Sequence, residues 1–154
     1  MASTLGESDY RRGGLERLRE AEVLLARELF AGGIYLAGRA VEGMMRAVIW
    51  KYDADVRTGR KSLETGHNLL RMLAWLENLG LLREDEFRRP FAVAVQQVGR
   101  LWTNNMRFMP TERIAADWRQ SGEINRKRTL KQAAAAYYIA CSTVVKRCEV
   151  LCKG

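Results

Sequence analysis

The chain has few of the residues that break or staple a fold. Only Pro90 and Pro110 are prolines among 154 residues, so long helices can run uninterrupted. There is one histidine, His67, which leaves little scope for imidazole-based metal sites or catalytic dyads made of two histidines. The three cysteines, Cys141, Cys148 and Cys152, are an odd number with no export signal beside them, so free thiols are expected. Cys148 and Cys152 would need two further ligands to hold zinc, and no metal or cofactor is expected. No phosphate-cradling glycine motif, zinc-protease motif or serine elbow is present, and no segment repeats. The longest nearly apolar stretch, 133–145, falls short of the roughly 20 residues that span a bilayer. A cytoplasmic protein with no membrane contact is the expectation.

What the chain does have is helical periodicity. Its hydrophobic content of 47% suits a packed domain, and no run alternates apolar and polar residues at strand spacing. The spacing predicts an all-α, up-and-down bundle of four to five helices. Residues 1–14 are polar and glycine-bearing and read as a flexible tail, leaving 15–154 as a single helical domain. The first helix is expected over 15–30, with Leu15, Leu18, Val23, Leu25 and Leu29 facing inward and Gly32-Gly33 breaking it. The second is expected over 34–52, with Ala37, Val41, Met44, Val48 and Tyr52 on one stripe. A basic loop follows, and Thr65 can cap a third helix that ends near Gly80. The fourth is expected over 84–104, opening irregularly at Pro90, and the last over 124–152.

Lys and Arg outnumber Asp and Glu by 26 to 18, a net charge of +8 that suits an anionic partner or an acidic protein surface. Between Arg107 and Lys131 stand seven basic residues, Arg126, Lys127 and Arg128 among them, with Trp118 interleaved. Basic charge beside an aromatic is the composition of single-stranded nucleic-acid contacts, and equally of a solvated loop. Trp102 with Arg107-Phe108 could stack a base and hold a phosphate, although tryptophan at helical spacing is commonly core. On the second helix Arg39, Glu42 and Arg46 share a polar face at one-turn spacing, as a structural ion pair, a pocket or a dimer contact. His67 lies opposite the core stripe at the start of the third helix. It is the weak catalytic candidate, a general acid or base with Arg60 as its phosphate clamp.

Three segments, read in order, resemble one family. Gly33-Ile34-Tyr35-Leu36-Ala37-Gly38-Arg39-Ala40-Val41-Glu42-Gly43-Met44-Met45-Arg46-Ala47 resembles the second-helix signature of HEPN (higher eukaryotes and prokaryotes nucleotide-binding) domains. Gly66-His67-Asn68-Leu69-Leu70, with Leu73, is similar to that family's His-polar-Leu opening of the third helix. Trp102 followed by Arg107-Phe108 before Pro110 is similar to its tryptophan and Arg-aromatic pair. The resemblance spans about 15–150 and implies the helical fold and dimerisation. Some members of the family are ribonuclease toxins paired with a nucleotidyltransferase-like antitoxin; others bind RNA, ligands or proteins without catalysis. The nuclease members carry Arg, four to six residues, then His near the last helix. Here no histidine follows Arg126-Lys127-Arg128. The expectation is therefore a non-catalytic HEPN-type binding module, a homodimer engaging RNA, a nucleotide or a partner protein such as a nucleotidyltransferase. The alternatives are a metal-independent toxin-type ribonuclease and a dimeric scaffold without ligand.

Overall fold

The computed structural model describes residues 4–83 and 85–154, and of 85–87 the backbone only. Among these residues the chain is all-helical and has no strand. Its helices are α1 (Glu7–Ala26), α2 (Phe30–Tyr52), α3 (Ala54–Arg57), α4 (Leu69–Asn78), α5 (Asp85–Leu101), α6 (Thr111–Gln120) and α7 (Leu130–Lys153), with a 3₁₀ turn at Asn104–Phe108. α2 is the centre of the bundle. α1 and α7 pack on it, α5 packs on α7 and α4 on α5. Ile34, Val41, Met44, Met45, Val48 and Ile49 of α2 are wholly buried, as a helix apolar on more than one side must be.

The expected tail is helix from Glu7 onward. Glu7 and Asp9 lie in its first turn, where carboxylates favour the positive end of the helix dipole. Arg11 ties this stretch to α7 by donating Nε–H to Glu149 Oε2 at 2.8 Å. Gly14, which reads as a loop residue, is buried; a Cβ there would meet Met44 at 2.9 Å and the Ala40 carbonyl at 3.2 Å. Its use is close helix approach rather than flexibility.

The first break also moves. Gly32 and Gly33 lie inside α2, where Gly33 faces Leu25. α1 ends in a Schellman motif: the Leu29 N–H donates to the Leu24 carbonyl at 2.9 Å and the Glu28 N–H to Leu25 at 3.0 Å. The left-handed residue of that motif is Glu28 (φ 59°), where glycine is usual. Of the expected inward face of α1, Val23 and Leu29 are in fact exposed: Val23 lies on the outer side of the helix and Leu29 in the turn that follows it. α4 is capped by the Asn68 side chain, which accepts the Arg71 N–H, and not by Thr65. α7 starts at Leu130, where Thr129 and Gln132 form a capping box. Pro90 lies inside α5 and not in its first turn; Glu84, the expected start, lies outside the described residues.

Candidate functional site

The polar face of α2 is a buried cluster. Glu42 is 3% exposed, and an ionised carboxylate at such a position needs partners on both oxygens. It has them. Arg39 Nη1 donates to Oε2 at 2.9 Å. Arg46 donates to Oε1 from Nη2 at 3.1 Å and from Nε at 3.3 Å. One-turn spacing on α2 supplies these two cations. The third partner comes from 25 residues away: His67 Nδ1 lies 2.6 Å from Glu42 Oε1. Arg46 is held further by the Leu63 carbonyl at 3.2 Å, and its guanidinium lies 5.9 Å from the Tyr10 ring centroid.

His67 reaches Glu42 because it is not in the helix. Thr65, Gly66, His67 and Asn68 form a tight turn closed by the Asn68 N–H donating to the Thr65 carbonyl at 3.1 Å. Both central residues have positive φ, 61° at Gly66 and 62° at His67, as a type I′ turn requires. Histidine tolerates this conformation better than most residues, but it is still a strained placement. The Gly66 N–H also donates to Glu64 Oε1 at 2.9 Å, and that bond, with Arg46 nearby, holds the Glu64 carboxyl below its usual range.

An ionised carboxylate only accepts, so the contact with Glu42 places a proton on His67 Nδ1 and turns Nε2 away from the carboxylate. Arg39 Nη1, 3.4 Å from Nδ1, adds positive charge beside the ring. Above this cluster α1 and α2 leave a cleft of about 420 Å³, lined by Tyr10, Gly14, Arg17, Arg39, Glu42 and His67 among others. Arg17, Arg39 and Arg46 line the cleft against Asp9, Glu42 and Glu64, so the formal charges of these side chains balance. Arg39 and His67 are about one third exposed and face solvent, so their unused donors and the imidazole Nε2 are open to a ligand. Such a group of atoms can bind a phosphate or carboxylate and exchange a proton with it.

The other expected site residues lie apart from this cleft. Arg60 is 79% exposed and pairs loosely with Asp55 at 3.9 Å; it makes no contact with His67, so the six-residue spacing does not become a clamp. Trp102 is 3% exposed. Its Nε1–H donates to the Tyr35 carbonyl at 3.2 Å and its ring stacks on Tyr35 at 6.3 Å, which leaves no face for a base. Trp118 is likewise core, 2% exposed and tilted against Tyr137. Arg107 is exposed and lies 4.6 Å from the ring centroid of Phe108, itself 78% exposed. Arg126 and Lys127 project from the turn before α7 with no ion pair among the described residues. Arg128 is drawn to Glu123 at 3.6 Å. Among the described residues no cluster of side chains could hold a metal. Cys141, Cys148 and Cys152 are buried, and burial raises all three thiols, Cys152 to about 11.

The His67–Glu42 pair is the feature that reading the sequence missed. The available signal was a glutamate inside an otherwise apolar segment, Ala40 to Met45, which calls for more than surface partners.

Among the described residues no helix is long and apolar enough to cross a membrane. No family model, curated protein or solved structure matches the chain.

Proposed function

We propose that the chain is a HEPN-type helical binding module that captures the phosphate groups of RNA in the cleft over Glu42 and works as a homodimer. The observation that carries this reading is convergence. The segments that resemble the family are far apart in sequence, yet His67 meets Glu42 and Trp102 fills the slot left by Gly38 beside Tyr35. The first of these contacts builds the floor of the cleft. An anionic ligand is supported by Arg39, which faces the cleft with donors to spare, and by the net charge of +8, to which the exposed Arg126 and Lys127 contribute. The homodimer is supported by apolar surface: Val23 on α1, Leu29 at the N-cap of α2 and Ile139 on α7 are each more than half exposed. A nucleotidyltransferase-like protein remains the heterologous partner implied by the resemblance.

Fluorescence anisotropy with labelled single-stranded RNA tests the cleft. Arg39→Ala leaves Glu42 with Arg46 and His67, so the fold should hold while affinity falls roughly 10- to 150-fold, the loss expected of a charge-assisted hydrogen bond. Unchanged affinity would remove the cleft from the reading. Light scattering that returns only monomer at tens of micromolar would remove the dimer.

One observation favours a second reading, a metal-independent ribonuclease. The 2.6 Å contact with Glu42 orients His67 with Nε2 free to take a 2′-hydroxyl proton. RNA incubated in chelator with wild type and His67→Ala separates the two. Cutting by wild type alone establishes the ribonuclease, and intact RNA in both leaves the binding module.

A further inference from the structure

The loop between α3 and α4 borders a second cleft, of about 540 Å³, outside the Glu42 site. Asp53, Lys61, Ser62, Arg71, Trp75 and Asn78 are among its lining residues. It is built around a buried carboxylate. Asp53 is 6% exposed. Its Oδ2 accepts the Trp75 Nε1–H at 2.8 Å and its Oδ1 accepts the Asp55 N–H at 3.0 Å. Burial alone would raise this carboxyl, but the indole, the amide and the Lys61 ammonium outweigh it and the net shift is downward. The indole of Trp75 is thereby pinned by its edge while the residue stays partly exposed.

Cations flank that ring. Lys61 Nζ lies 5.3 Å from the ring centroid and 3.6 Å from Asp53 Oδ2. Arg71 stands one turn before Trp75 on α4, exposed, with no ion pair among the described residues. Asn78, three residues after Trp75, places a carboxamide on the same face of the helix. The one carboxylate lining the cleft already accepts hydrogen bonds on both oxygens. A cationic ligand would meet Lys61 and Arg71. A plain carboxylate would leave the indole plane unused. The surroundings suit a flat π-system that carries an anion, with an amide able to pair with a base edge.

We infer that this cleft is a nucleotide subsite, in which a base stacks on Trp75 and its phosphate is held by Lys61 and Arg71. Lys61 moves from the ring to the phosphate, while Asp53 keeps the bonds from the indole and the Asp55 amide. The inference deepens the proposed function and rests on it for ligand class. It also places the two clefts side by side. Ser62 lines one and Glu64 the other, and residues two apart lie within about 7 Å of each other. A single strand can therefore occupy both.

Calorimetric titration of the full chain with adenosine, AMP and hexaadenylate at low salt tests this. AMP should bind saturably and more tightly than adenosine. Arg71→Ala should weaken AMP several-fold and leave adenosine unchanged. Trp75→Phe should retain most of the affinity, and Trp75→Ala should lose roughly 5- to 100-fold, the range for one stacked base. Because Trp75→Ala also strips a hydrogen bond from buried Asp53 and can unfold the chain, the Arg71 variant and the AMP–adenosine contrast decide the matter. No AMP binding at millimolar concentration, or AMP binding indifferent to Arg71→Ala, overturns the subsite. Hexaadenylate binding tighter than AMP identifies a polynucleotide as the source of the ligand, and equal affinity identifies the free nucleotide; both support the subsite. Oligonucleotide binding that depends on Arg39 but not on Arg71 overturns the subsite and leaves the Glu42 cleft standing, and the reverse pattern does the opposite.

Discussion

Gly38 to alanine is the substitution whose effect the packing fixes most sharply. On propensity alone it should stabilise α2, since alanine is better than glycine in a helix interior by about 1 kcal/mol. The surroundings reverse the sign. A Cβ at this position would lie under 3.0 Å from three atoms of the Trp102 ring, Cδ1, Nε1 and Cγ, a spacing that real Cβ atoms essentially never show. The ring is rigid, 3% exposed, and fixed by the bond from its Nε1 to the Tyr35 carbonyl. Pushing it aside brings an overpacking cost of about 1–3 kcal/mol and, if the indole N–H is orphaned, a further ~1–3 kcal/mol. After the propensity gain the net loss should be about 3 kcal/mol, a fall in Tm of roughly 6–12 °C for a chain of this size. Gly13→Ala is the control. Gly13 also lies within a helix, but nothing stands within 4 Å of an added Cβ. That variant should gain up to ~1 kcal/mol. Urea and thermal unfolding followed by circular dichroism measure both. If Gly38→Ala proves as stable as Gly13→Ala, the tight seating of Trp102 against α2 is wrong.

Three further outcomes follow from the same structure. The hydrogen bond from Arg11 holds the Glu149 carboxyl below its usual range, so the pair's stability is present above the unfolded-state carboxylate pKa and is lost as pH falls through the lower folded-state value. Unfolding midpoints should decline in acid, and Glu149→Gln should flatten that decline; an identical acid slope in the variant refutes it. The native thiols should resist a disulfide reagent at pH 8, because burial pushes their pKa values up, with Cys152 the first to react at about 11 and the others later; rapid labelling of three thiols without denaturant would contradict this. Replacing Arg126, Lys127 and Arg128 together with alanine should lower the salt slope of RNA binding by about 0.7 for each phosphate that is no longer neutralised, and an unchanged slope removes that turn from the interface.

What could be read from the sequence and what could not divide along one physical line. Periodicity reports which residues face a core, so the long helices α2 and α7 were legible, each from a stripe recurring every three or four residues. Residue type alone does not report why a glycine is present. Gly13 and Gly14 read as a tail and Gly32-Gly33 as a break because glycine is common in loops; in the fold Gly14 and Gly33 are places where α1 and α2 touch too closely for a Cβ, and the true break falls on Glu28. The tryptophans were ambiguous for a related reason. Trp102 and Trp118 sit among basic residues in sequence, yet helical geometry turns the rings inward and the cations outward. Glu42 with Arg39 and Arg46 was legible because a helix places residues one turn apart on one face. His67 was not. Its contact with Glu42 depends on two consecutive positive φ angles at Gly66 and His67, and a helix extended back to Thr65 would send the imidazole away from the core. The site is therefore legible within α2 and hidden across the turn, where two consecutive left-handed residues decide whether the only imidazole of the chain faces bulk solvent or a buried carboxylate.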